Sequence, residues 1–190
     1  RLDGDRLVAA RIGGRYWMYL NCLSTVGAPC LCAATSDDLR DWKIVRSPDG
    51  ALVHPMATRP GRFDSWYLDT TAAVLTRHGV LLVYNGINAD PADGGDPTLP
   101  LSSHYPAQAL FDPEDPTRLI ARADTPFQGG DPVLEARPRV FWPAPLYESW
   151  SLVPWKGELL LYWNHAFGRR SVGLWTAPIP DSLRGDAHGR

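Results

Sequence analysis

The sequence predicts an all-β fold of the β-propeller type. Three observations carry that prediction. First, the chain repeats one phrase, a glycine, four mostly apolar residues and a tyrosine, at Gly14–Tyr19, Gly79–Tyr84 and Gly157–Tyr162. Second, each copy is followed by a polar segment, another apolar run and an acidic turn: Leu31 to Trp42, Ala107 to Leu119 and Gly173 to Gly185. Third, no stretch of ten residues shows a helical period. A hairpin plus a third strand, written three times, is the signature of small antiparallel sheets arranged radially. One such sheet cannot bury both of its faces, so its neighbours must pack on it. The repeat units are read as residues 3–46, 63–127 and 135–180.

Taken in order, Leu2 to Ile12 holds the turn Asp3-Gly4-Asp5 and then a strand. Gly13-Gly14 makes a hairpin turn, where glycine accepts positive φ. Tyr16 to Leu20 returns, Asn21 to Pro29 is a loop, and Cys30 to Ala34 is the third strand. Trp42 to Val45 is the outer strand. Ser47 to Asp64, rich in Pro, Gly and Arg, links the first unit to the second. Asp69–Thr76 and Gly79–Asn88 form the central hairpin about Arg77-His78. Ala89 to Ser103 is a long insertion without periodicity, a length that is usually functional. Tyr105 to Phe111 resumes the sheet, and Leu119 to Phe127 is extended. Gly129 to Pro132 is a turn. The third hairpin is Ser151–Trp155 with Glu158–Trp163, followed by a strand at Val172–Thr176. Asp181 to Arg190 reads as a polar tail.

The chain has 190 residues with 44% apolar, enough for a core, and its eight Trp and seven Tyr add large buried areas with polar tips. A net charge of −2 without a basic block excludes nucleic acid and an anionic membrane as expected partners. No apolar run reaches the ~18 residues of a transmembrane helix. The compartment, cytoplasmic or secreted in a bacterium, is not fixed by the sequence. Three cysteines, Cys22, Cys30 and Cys32, are an odd number that argues against a complete disulfide framework. Cys30 and Cys32 share a strand face. No further His or Cys is seen to complete a zinc set, so the thiols are expected to pack, and neither metal nor cofactor is expected. Only three repeats are countable, and propellers close with about 4–8 blades. The remaining blades are expected outside this chain or from self-association.

In a propeller the inner strand of each blade lines the central opening, so residues at or before each hairpin are the candidates. These are Asp3, Asp5 and Arg6; Asp64, Trp66, Tyr67 and Asp69; Glu135, Glu148 and Trp150; and His165 at a strand exit. Carboxylates among aromatics suit a carbohydrate: ring faces stack on sugar C–H faces, and acids accept hydroxyl protons. Asp3 and Asp5 flank a turn glycine, where acids are also ordinary. Glu135 and Glu148 sit among apolar residues, so each is either paired in the interior or lines a cleft. Asp37, Asp38, Asp112 and Asp115 recur in the repeated turns and are read as structural.

The runs Phe63–Asn88 (FDSWYLDTTAAVLTRHGVLLVYNGIN), Tyr105–Phe127 (YPAQALFDPEDPTRLIARADTPF) and Leu159–Ala166 (LLLYWNHA) resemble glycoside hydrolase family 130. The resemblance covers most of Asp3 to Ile179, and Ala109–Arg122 is its most specific part. It implies a five-bladed propeller, of which about three to four blades lie in this chain, and an activity on β-mannosides by hydrolysis or phosphorolysis. It places Asp3 or Asp5 near the family's aspartate general acid, with Arg6 at the accompanying arginine. The family's Tyr-His-Gly reads Tyr84-Asn85-Gly86, an expected lysine is replaced by Asp69, and a final aspartate is absent at His165-Ala166-Phe167. Asn85 and Tyr105 join the binding set on the same grounds.

Fewer cations argue against phosphorolysis, because a phosphate nucleophile must be held by positive charge. The resulting expectation is an inverting glycoside hydrolase, with Asp3 or Asp5 as acid, Glu135 or Glu148 as base, and Asp69 binding the sugar. A glycan-binding propeller without catalysis is the rival. A related furanosidase ranks last, because its Arg-Asp-Pro stretch is not found.

Overall fold

The computed structural model describes residues 1–127, 147–167 and 169–178, with side chains described as far as Trp163. It consists of antiparallel sheets in chain order. A short hairpin, β1 (Leu2–Asp3) and β2 (Arg6–Leu7), comes first. The first sheet has β3 (Arg11–Ile12), β4 (Arg15–Leu23), β5 (Pro29–Ser36) and β6 (Lys43–Ile44), with β7 (Met56–Ala57) also pairing β5. The second runs β8 (Tyr67–Thr76), β9 (Gly79–Ile87), β10 (His104–Phe111) and β11 (Leu119–Arg122). The third has β12 (Tyr147–Trp155), β13 (Glu158–Phe167) and β14 (Arg169–Pro178). Among the described residues the only helical element is a 3₁₀ turn at Pro91–Asp93, and no helix is long and apolar enough to cross a membrane. The sheets do not close into a ring among the described residues.

Several boundaries differ from the sequence expectation: β8, β12 and β14 are longer than the expected Asp69–Thr76, Ser151–Trp155 and Val172–Thr176, and two further differences lie in the first unit. The turn at Asp3-Gly4-Asp5 is present, but the single strand expected after it, up to Ile12, is split into β2, which pairs back on β1, and β3, which pairs β4. The loop expected at Asn21–Pro29 is shorter, because β4 continues to Leu23 in register with Pro29.

The repeated tyrosines build the core in the first two copies. Tyr19 is buried and donates to the Pro116 carbonyl at 2.7 Å; Tyr84 is buried and donates to Asp64 Oδ2 at 2.8 Å. Tyr162 of the third copy is exposed, on a sheet that no later sheet covers among the described residues. Gly79, which opens the second copy, has φ +138°, and a Cβ there would lie 2.1 Å from the Phe111 carbonyl oxygen. The strands therefore approach too closely for any side chain at that point. The recurring turn acids are structural, as expected: Asp112 accepts from the Glu114 and Asp115 amides, and Asp38 from those of Arg40 and Asp41. These amides hold both carboxyls below the usual carboxylate range.

The long insertion is organised by one buried side chain. Asn88 Nδ2 donates to the carbonyls of Asp96 and Leu99 at 3.1 Å and of Pro100 at 3.3 Å, and its Oδ1 accepts from the Asp96 amide at 2.8 Å. Replacing it leaves several buried backbone groups without a partner, each loss costing about 1–3 kcal/mol. Asn88→Ala is therefore expected to lower stability by about 2–4 kcal/mol in urea melts. A loss under about 1 kcal/mol would mean that the loop holds itself.

Candidate functional site: three sheets meet at Asp69, His104 and Glu148

Asp69 lies on β8 opposite Asn85 of β9, and His104 opens β10 opposite Ile87, which in turn faces Tyr67. Directly paired residues, and residues two apart, share a face of an antiparallel sheet. Tyr67, Asp69, Asn85 and His104 therefore project from one face of the second sheet. β12 packs against that face. Asn85 clamps it there: its Oδ1 accepts from the Ser149 amide at 2.7 Å and the Ser149 hydroxyl at 2.8 Å, while its Nδ2 donates to the Ser149 carbonyl at 3.1 Å. Thr71 Oγ1 adds a bond to the same carbonyl at 2.9 Å.

The clamp brings Glu148 Oε1 to 2.7 Å from His104 Nδ1. That is ion-pair distance, although the two atoms are not aligned as a hydrogen bond. One ligand atom each from Asp69, His104 and Glu148 falls within 4.8 Å of the others. The first sheet contributes as well: Asn21 Nδ2, on β4, donates to Asp69 Oδ1 at 2.5 Å. Three sheets thus supply one half-buried cluster of two carboxylates, an imidazole and an amide. Such a set can bind sugar hydroxyls, move a proton, or ligate a hard divalent cation.

Each strand bearing a carboxylate is interrupted beside it. β8 shifts register between Thr70 and Ala72, and β12 between Ser149 and Ser151. Bulges of this kind re-aim side chains next to sites. The extra residue on β12 is Trp150, 65% exposed and two positions from Glu148.

Burial is the main reason that the Asp69 carboxyl sits above the usual range. The Asn21 hydrogen bond and nearby His104 pull it down, and Glu148 pushes it up again. A carboxyl whose folded pKa is raised binds more protons folded than unfolded. Its contribution to stability therefore falls as pH rises through the window between the two values. Asp69→Asn removes this charge, so the variant should gain stability over the parent at pH 8 and less at pH 4. Thermal melts at both values check this, and an equal difference at the two would refute it.

The other expected site residues are distributed as follows. Trp66 is 47% exposed, three residues before Asp69, and its amide bonds the Ile87 carbonyl at 2.8 Å. Tyr67 is half-buried. Tyr105 is buried and stacks on Tyr147 at 5.7 Å between ring centroids. Asn85 serves as the clamp between sheets. Asp64 is fully buried among Arg59, Arg122 and Tyr84, which is the geometry of a core ion pair and not of a pocket acid. Asp3, Asp5 and Arg6 are exposed on the β1–β2 hairpin, where Asp5 Oδ1 accepts from the Gly157 amide at 3.3 Å. Gly157 is at the far end of β12 from Glu148, a separation on the order of 20 Å at strand rise. The structure does not bring Asp3 or Asp5 to the cluster. Glu135 lies outside the described residues. His165 faces Tyr147 in the β12–β13 ladder, but its side chain is outside the description.

Sequence reasoning did not single out His104 or Asn21. His104 stands at a strand entrance, as Asp69 does, so the same criterion applied to third strands would have found it. Asn21 carries only a weak signal, a polar residue inside an apolar strand.

No protein-family model and no curated protein matches the chain. Solved structures do match. A candidate glycoside hydrolase from Parabacteroides distasonis is 35% identical, with TM-score 0.76 over 91% of this chain and 47% of its own. A candidate glycoside hydrolase from Bacteroides ovatus is 30% identical, with TM-score 0.81 over 97% and 51%. A third, 29% identical with TM-score 0.76 over 96% and 48%, is described with the glycoside hydrolase family 130 of mannoside phosphorylases, said to contain glycoside hydrolases that target β-1,2-mannosidic linkages in Candida mannan. The chain is glycoside hydrolase family 130-like. Its all-β sheets are those of a propeller of that type, and this family 130-like chain spans about half the length of the structures it matches.

Proposed function

We propose that the cluster of Asp69, His104 and Glu148 binds a β-mannoside or related glycan and is where the assembled protein hydrolyses it. The observation that carries this reading is the convergence of Asp69 and Glu148 from successive sheets, within 4.8 Å of each other and of His104. That spacing also divides their roles. An inverting acid–base pair stands about 6.5–9.5 Å apart to admit a water. Asp69 and Glu148 are too close to be that pair. Asp69, held by Asn21, accepts a sugar hydroxyl; Glu148, beside His104, is the base that activates water. On this geometry the general acid is assigned to neither Asp3 nor Asp5, and Glu135 stays a candidate.

Hydrolysis is favoured over phosphorolysis because, among the described residues, no arginine or lysine forms an ion pair with Asp69 or Glu148, and the basic side chain beside Glu148 is the His104 imidazole. A phosphate nucleophile needs more positive charge than that. A binding module without catalysis is the second reading, favoured by the distance from Glu148 to the expected acids.

Reducing-sugar release from a panel of β-mannosides, with and without phosphate, separates these readings when combined with calorimetric binding. Phosphate-independent release is expected. Release only with phosphate would reject hydrolysis, and saturable binding without release would establish the module.

A further inference from the structure

The first sheet carries a second cluster, distinct from the glycan cluster. Cys22 of β4 stands opposite Cys30 of β5, and Cys32 lies two residues further on the same face. Three thiol positions on one face were expected to pack as apolar side chains. Instead Cys22 and Cys32 are joined as a disulfide, Cys30 is a free buried thiol, and an imidazole completes the group. His54 arrives from the segment before β7, which pairs β5 at Cys30↔Ala57. Its Nδ1 lies 3.3 Å from Cys30 Sγ and 3.7 Å from both Cys22 Sγ and Cys32 Sγ; Cys22 Sγ lies 3.2 Å from Cys30 Sγ.

We infer that the reduced form of this cluster is a Cys₃His site for a tetrahedral zinc ion, held by Cys22, Cys30, Cys32 and His54 Nδ1. Zn–S bonds of about 2.3 Å and Zn–N bonds of about 2.0–2.1 Å place tetrahedral donors about 3.5–3.8 Å apart. Four of the six donor pairs stand at 3.2–3.7 Å, and Cys22, Cys32 and His54 offer ligand atoms within 4.8 Å of one another. The Cys22–Cys32 disulfide must open, and Cys30 closes the set by adjusting its side chain. Three soft thiolates with one imidazole select zinc over hard cations. Four protein donors, with Cys30 and Cys32 buried, leave no open position, which makes the site structural.

The chemistry balances in two steps. A dithiol gives two electrons and two protons to the Cys22–Cys32 disulfide and is itself oxidised to a disulfide. Zinc then displaces the three thiol protons and binds three thiolates. The site would pin the segment between the first and second sheets to β4 and β5. It would also fix Cys22, whose neighbour Asn21 holds Asp69.

The test is metal binding by the reduced chain under anaerobic conditions, with cobalt(II) as the spectroscopic probe and zinc as competitor. The expected result is one metal per chain, with thiolate-to-cobalt charge transfer and the intense visible bands of a tetrahedral site, both abolished by zinc. His54→Ala and Cys30→Ser should each weaken binding about tenfold or more. Circular dichroism checks that the variants fold; His54→Ala, in a linking segment, decides the matter if Cys30→Ser does not. A chain with all three thiols reactive to a thiol reagent but no thiolate–cobalt absorption overturns the proposal. So does His54→Ala binding as tightly as the parent.

Discussion

Asp64→Ala should unfold a large part of the protein's stability margin. Asp64 is wholly buried and accepts from Arg59 Nε at 3.1 Å, Arg59 Nη2 at 2.9 Å, Arg122 Nη2 at 2.5 Å and the Tyr84 hydroxyl at 2.8 Å. Removing one member of such a group strands buried charge, which costs about 3–5 kcal/mol. Domains commonly hold about 5–15 kcal/mol in total. Burial, and then Asp64 itself, push the Tyr84 hydroxyl well above its ordinary pKa, so it stays a donor. Asp64→Asn keeps the shape but not the charge and should recover only part of the loss. The packing admits no slack: a Cβ on Gly86 would meet Asp64 Cβ at 2.5 Å and the Phe63 ring at 2.6 Å. Urea denaturation measures this, and a loss below about 1 kcal/mol for Asp64→Ala would show that water or rearranged arginines replace the carboxylate.

Glu148→Gln should have the largest effect on chemistry. If Glu148 is the base of the proposed hydrolysis, its removal lowers kcat about 10²–10⁴-fold. KM should change little, because the amide keeps the shape and hydrogen-bonding reach of the side chain. Asp69→Ala should do the reverse and act mainly through KM, since its proposed partner is a sugar hydroxyl. The fold should tolerate Glu148→Gln, because β12 is clamped through Ser149 by Asn85 and not through Glu148. Steady-state kinetics on a β-mannoside separate the two variants. A kcat for Glu148→Gln within about tenfold of the parent would remove Glu148 as the base.

The residues that misled are instructive. Asp64 and Asp69 look alike in sequence, each polar before an apolar run. One is sealed among arginines and the other lines the cluster where three sheets meet. Asp3 and Asp5 match an acid position by resemblance, yet the hairpin that carries them docks at the turn end of β12. Cys22, Cys30 and Cys32 suggested packing until His54, which no spacing rule connects to them, closed on the group.

What the sequence by itself determined was local: the three Gly-to-Tyr hairpins, the turn acids of the first two copies and, among the described residues, the absence of long helices. Strand alternation and turn chemistry act over a few residues, so they can be read in order along the chain. The tertiary structure alone decided which carboxylates face one another. That depends on how Asn85 seats β12, on the bulges beside Thr71 and Trp150, and on the side from which each sheet approaches. A shift of one residue in any of these ladders turns a side chain to the opposite face, and nothing in the local sequence specifies the partner sheet.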